Sequence, residues 1–162
     1  MAKNRFSESH GILGLTVDGD WNAGFDTDSV DMAKYNHCTI LIEGDATLAG
    51  NAVLTLYGGA TAGTKTAAAT FSYRYSGADI GSANSDVLGA VATSAALTTT
   101  ATSMDSRVTV IEFEAADLNI SNTQYRYATL EVSAAGTAGT CDIIAILSEP
   151  RYLEAVMDTA QA

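Results

Sequence analysis

The chain is poor in the residues on which most chemistry and many alternative folds depend. It has one proline, two cysteines and two histidines in 162 residues, and only eight Lys and Arg against 19 Asp and Glu. The resulting net charge of −11 repels phosphate, and no basic cluster interrupts it, so nucleic acid is not an expected partner. The longest uninterrupted apolar run is Ile143 to Leu147, and the N-terminal MAKNRFSESHG has no apolar stretch behind its basic residues; neither a membrane span nor a secretory signal is expected. Cys38 and Cys141 stand far apart and in no C-x-x-C spacing, which makes reduced interior thiols the expectation rather than a staple or a metal site. Nucleophilic catalysis needs an oriented base. His10 falls in the expected N-terminal arm and His37 reads as a polar residue at the start of a strand beside Asn36, while no G-x-S-x-G elbow occurs. No enzyme and no cofactor are expected.

What is present is an apolar fraction of 47% with 17% charged residues, filled out by Ala, Thr, Gly and Ser. That is globular composition, and small β-compatible residues with little Lys or Glu disfavour a helical bundle. A domain of this length can bury roughly 70% of its unfolded surface, so it needs no disulfide or metal to hold a core. Period-two alternation recurs between Gly, Asn, Asp and Ser breaks, which predicts short antiparallel strands. His37 to Glu43 sets Cys38, Ile40 and Ile42 on one face, and Asn51 to Tyr57 does the same with Ala52, Leu54 and Leu56; the pair is expected as a hairpin or as neighbouring strands. Ala69 to Tyr75 carries Phe71, Tyr73 and Tyr75 on one side. Arg107 to Phe113 changes phase, implying a bulge or burial on both faces. Tyr125 to Val132 and Thr140 to Ser148 follow, the latter apolar on both sides and expected to be central. Weaker strands are expected at Ile12 to Val17, at Ser29 to Met32 and somewhere in Val87 to Thr102. Helix is limited to a turn at Glu114 to Leu118 and a short stretch around Leu153 to Met157. Pro150 should close the last strong strand. The expected architecture is an all-β antiparallel sandwich, jelly-roll-like, spanning residues 12–152, with an extended N-terminal arm (1–11) and a short C-terminal tail (153–162).

Several segments invite a chemical reading, and each has a plainer one. Asp18-Gly19-Asp20-Trp21-Asn22-Ala23-Gly24 spaces oxygen ligands as a calcium loop does, but Ala23 and Ser29 occupy the places where an EF-hand has Gly and Glu; an acidic turn is expected. Gly58 to Thr66 resembles a phosphate loop, yet Lys65 comes one residue late and the run joins two strands rather than entering a helix. Carboxylate pairs could be assembled from Glu43, Glu112, Glu114 or Glu131, but sequence cannot set their separation. Asn119-Ile120-Ser121 fits a glycosylation acceptor without any sign of export. Trp21, Phe25, Tyr57, Phe71, Tyr73, Tyr75, Tyr125 and Tyr127 are expected chiefly in core and cross-strand packing, with a sugar- or partner-binding platform as the alternative.

Val30-Asp31-Met32 followed by Tyr35 to Ile42, then Phe71-Ser72-Tyr73-Arg74-Tyr75, and the ending Ile144 to Tyr152 resemble a family of small tailed-phage proteins encoded near the major capsid protein. The resemblance covers roughly residues 12–152 and rests on hydrophobic strand patterns without catalytic residues. It implies a decoration, or cement, protein of the head: a structural virion component on the outer surface of the capsid, present in the host cytoplasm during assembly. Its partners would be the major capsid protein and further copies of itself, often as a homotrimer, with no nucleic acid or membrane. Arg5 and Phe6, in an arm from Ala2 to Gly11 that adds to a neighbouring sheet or lies in a capsid groove, are the expected contacts, with Trp21, Phe25, Arg151 and Tyr152. The alternatives are another virion part, such as a tail-tube or head-fibre component, and a carbohydrate-binding sandwich using Trp21 or Tyr73.

Overall fold

The computed structural model describes residues 6–151. A helical turn α1 (Phe6–Ser9) precedes β1 (Gly11–Asp20), β2 (Phe25–Asp26), β3 (Val30–Asp31), β4 (Tyr35–Gly44) and β5 (Val53–Gly59). Then come β6 (Ala67–Ala69), β7 (Phe71–Tyr75), β8 (Ala92–Ser94), β9 (Leu97–Thr98) and a second helical turn, α2 (Ala101–Met104). The described residues finish with β10 (Val108–Glu114), a 3-10 turn (Ala115–Leu118), β11 (Asn119–Ile120), β12 (Thr123–Gln124), β13 (Tyr127–Val132) and β14 (Thr140–Pro150).

The alternating side chains sort these strands into two antiparallel sheets. One runs β1-β14-β4-β10-β7-β8 and the other β2-β13-β5-β6, with β3 also on β13 and β9 also on β5. Taking β1, β2, β4, β5, β6, β10, β13 and β14 in chain order, successive strands alternate between sheets except for the β5–β6 hairpin, which is the winding of a jelly roll. β7 and β8 are an addition beyond β10. The expected sandwich is present, and its winding is the one anticipated.

Between the sheets lies one continuous core. Cys38, Ile40 and Ile42 of β4 and Ile143, Ala145 and Leu147 of β14 line the first sheet, and Ala52, Leu54, Leu56, Ala128, Leu130 and Val132 line the second. Each large apolar side chain so enclosed contributes roughly 1.5–3 kcal/mol. Cys38 and Cys141 share that interior but not each other's company: Cys38 pairs with Leu147 and Cys141 with Gly44, at opposite ends of the strands. Burial pushes both thiols up, that of Cys141 to about 12.

Three expectations change and two are refined. β4 and β5 are not a hairpin; they belong to different sheets and face one another across the core, because each presents an unbroken apolar face that only an opposing sheet can cover. Ala69 to Tyr75 is not one strand, since the chain steps at Thr70 from the second sheet to the first. Of the two readings of the phase change in 107–113, burial on both faces holds and a bulge does not: β10 keeps an unbroken register with β4 from Val108–Glu43 to Glu114–His37, and Thr109, Val110 and Ile111 are all buried. Thr109 takes an interior slot by donating its hydroxyl to Met104 Sδ at 2.8 Å. The last strand is interior to its sheet as expected, between β1 and β4, but its outer face is open, with Ile144 43% exposed. At the N-terminus, Phe6–Ser9 forms a helical turn packed on β14 instead of an extended arm. The helix expected near Leu153 to Met157 lies outside the described residues. Elsewhere the turns follow local chemistry: Ser121 and Asn122 both adopt positive φ, 51° and 64°, as a two-residue β11–β12 hairpin loop requires.

Candidate functional site

The chemical readings resolve first. Asp20 turns its carboxylate back onto the main chain, accepting from the N–H groups of Asn22 and Ala23, and so closes an acidic turn. Gly58 to Thr66 is the β5–β6 hairpin loop, and Lys65 reaches across to Asp26 at 2.8 Å and Glu131 at 3.4 Å. Hydrogen bonding to Asp26 raises the Lys65 pKa against the opposing effect of burial. Glu131 stands on the other sheet from Glu43, Glu112 and Glu114 and so forms no pair with them. His10 is held by the Phe6 carbonyl at 2.9 Å and by a stacked Phe6 ring at 4.0 Å, with the Ser9 hydroxyl 2.9 Å from its Nδ1. His37 lies on the outer face of the first sheet, where Thr39 Oγ1 is 3.2 Å and Glu112 Oε1 3.9 Å from its Nε2. Both approach the same ring nitrogen. A relay needs the nucleophile on one nitrogen and the carboxylate on the other.

Of the six expected contact residues, the four that are described do not converge. Arg5 and Tyr152 lie outside the described residues. Phe6 is 54% exposed, and Arg151 is exposed with its Nε donating to Asn36 Oδ1 at 2.9 Å. The pairing of Gly11 with Leu147, and of Pro150 with Tyr35, places both at the end of the sandwich where β14 finishes. Phe25 is half-buried on the second sheet against Gly19 and lines a shallow groove with Asp26, Lys65 and Glu131. Trp21 is fully buried, which withdraws its indole from any partner or sugar platform and makes it a core residue.

Sequence spacing gave no hint of the best-formed polar contact, between residues 95 apart. Asp31, with 9% of its side chain exposed, accepts a forked pair of hydrogen bonds from Arg126 Nε and Nη2 at 2.9 and 2.5 Å, and Arg126 also lies over the Tyr127 ring. Arg126 holds the Asp31 carboxyl below the usual carboxylate range although burial pulls the other way. At Asp45 burial also pushes upward, but hydrogen bonds from Thr140 and Thr47 outweigh it and leave that carboxyl depressed. Depressed carboxyls contribute stability that is fully present above about pH 4 and is lost as pH falls through their folded values. Replacing Arg126 by Met leaves Asp31 with burial and without its main lowering partner. The expected result is an Asp31 titration shifted up by NMR and acid unfolding at a higher pH by circular dichroism; an unchanged Asp31 titration would refute the pairing.

Two apolar surfaces remain uncovered. On the outer face of the first sheet, Ile12, Ile144, Ile146 and Leu41 run side by side through the Ile12–Ile146 and Ile144–Leu41 pairs. Its margins carry Glu112, Glu43 and Asp142. The second surface is the outer rim around β8, with Ile80, Val87, Leu88 and Val91 exposed.

No family model and no curated protein matches the chain. Among solved structures, the crystal structure of the SPBc2 prophage-derived protein YomS is similar over 85% of this chain and 91% of that one, with a TM-score of 0.50 and 10% sequence identity. At that identity the likeness is one of fold.

Proposed function

We propose that this chain is a non-enzymatic structural protein of a tailed-phage virion, a decoration protein that binds the outside of the assembled head and stabilises it. The observation that carries the reading is the fold shared with a prophage-derived protein along most of both chains. The strand sequences that resemble head-associated phage proteins point the same way. A decoration protein must stay apart from DNA while meeting several capsid subunits, and a chain of net charge −11 does the first. For the second, the outer face of the first sheet offers Ile12, Ile144, Ile146 and Leu41 with an acidic margin of Glu43, Glu112 and Asp142, which fits an apolar capsid surface bordered by Lys and Arg. Modest contacts repeated by the symmetry of a shell act together through effective concentration.

The test uses purified full-length protein and empty heads of the phage that encodes it. Saturable co-sedimentation at a fixed ratio to the major capsid protein is expected, with heads that withstand higher temperature. Ile144→Asp, at a side chain 43% exposed, should leave the fold intact and lower head binding more than about tenfold. Heads that bind nothing, or protein found in the tail by electron microscopy, would overturn the reading.

A further inference from the structure

The rim of the first sheet beyond β7 is built unlike that sheet's opposite edge. From Leu88, which bridges Ser76, to Ser94, paired with Phe71, the chain runs along β7 as the outermost strand. Between Val87 and Met104 the sequence holds no charged residue and no proline. Four of the eight large apolar side chains exposed among the described residues, Ile80, Val87, Leu88 and Val91, cluster here. Edges normally carry charges, prolines or bulges that prevent them from pairing with another chain. The opposite edge does: β1 has two register shifts, after Gly14 and after Thr16, and exposed acids at Asp18 and Asp20. In the second sheet, β2 carries Asp26 tied to Lys65.

We propose that this undefended rim is where two copies of the chain associate, β8 against β8 about a two-fold axis, extending the sheet across both protomers. Charge selects the occupant. Two chains of net charge −11 repel over most of their surfaces, and the 87–104 stretch is where they can approach without setting acid against acid. An uncharged edge gives a foreign partner nothing to be steered by, whereas a two-fold pairing lays the exposed apolar side chains against their own images. The trimer implied by the family resemblance would need two different surfaces, so the geometry here favours a pair. This proposal stands apart from the decoration reading, because its test contains no heads.

The experiment is a mass measurement of the full chain in solution by light scattering. Wild type is expected at twice the 16.8 kDa chain mass. Val91→Lys, at a side chain 55% exposed, is expected at the single-chain mass at the same concentration, while Val17→Lys on the opposite edge, at 78% exposure, stays paired. Hydrogen exchange of wild type should slow at the amides of 88–94 as protein concentration rises, a readout that does not depend on the folding of any variant. Monomeric or threefold wild type, Val91→Lys at the wild-type mass, or exchange at 88–94 that ignores concentration would each overturn the proposal.

Discussion

Trp21→Ala is expected to destabilise the protein by about 3–5 kcal/mol, the range for truncating a large buried aromatic. The indole is fully enclosed, just beyond the end of β1, in the cluster that contains Leu48, Cys141 and Ile143. Its main chain is fixed as well: Trp21 N–H donates to the Gly139 carbonyl at 3.0 Å and its carbonyl accepts from Ala135 at 3.1 Å, so the cavity has little freedom to collapse. Total stabilities of single domains are about 5–15 kcal/mol, and a loss of this size removes a large part of that. The midpoint of thermal unfolding should fall by roughly 6–20 °C at about 2–4 °C per kcal/mol. A fall under about 2 °C would mean that the indole is not part of the core. Trp21→Phe, which keeps most of the apolar area, should cost much less.

Gly44→Ala is also expected to be damaging although it adds only a methyl group. A Cβ at Gly44 would collide with the main-chain carbonyl oxygen of Met104 and touch Leu48 Cδ1 at 3.1 Å. The carbonyl belongs to backbone at the end of α2 and cannot swing aside as a side chain would. The Gly44 N–H also donates to Arg107, and Cys141 pairs with Gly44 across β14, so a shift spreads into two strand ends. Overpacking of this kind costs about 1–3 kcal/mol, occasionally more. Gly14, in β1 of the same sheet, is the control, because a Cβ there meets open space. Gly14→Ala should change stability by less than about 0.5 kcal/mol, or raise it slightly by restricting the unfolded chain. Urea unfolding of both variants decides the matter, and equal effects would sink the explanation.

Much of the fold was legible where one strand face is plainly apolar. Cys38-Ile40-Ile42, Leu54-Leu56, Leu130-Val132 and Ile143-Ala145-Leu147 alternate strictly, and all of them point inward. Alternation says which face a strand buries and nothing about which strand lies beside it. That is why β4 and β5, separated by a short turn-rich connection, looked like a hairpin when they are opposed across the core. The break at Thr70 was hidden for a related reason, since a chain changing sheets keeps its extended pattern through the corner. Ser76 to Thr102 carried little signal because its residues are small and mostly exposed, and its short strands are set by what β7 and β5 leave unpaired. Of the expected contact residues, Trp21 follows the core-packing expectation for the aromatics instead: its ring turns into the interior from the polar turn of Asp18, Asp20 and Asn22. The Asp31–Arg126 fork had no local signature, as it is made by the meeting of β3 with the start of β13.

The place of β14 governs how the chain must come together. Among the described residues β1 pairs with β14 alone, so the first strand made waits for the last. At ribosomal rates of about 5–20 residues per second, the roughly 120 residues between them take some 6–25 s to appear. For that interval Leu13 and Leu15 have no ladder to join, and β4 lacks its flank on that side. Closure is therefore a late, long-range step, slow in the way that non-local strand pairing is slow. A nascent chain halted before Thr140 holds one incomplete layer of the sandwich rather than a smaller working domain.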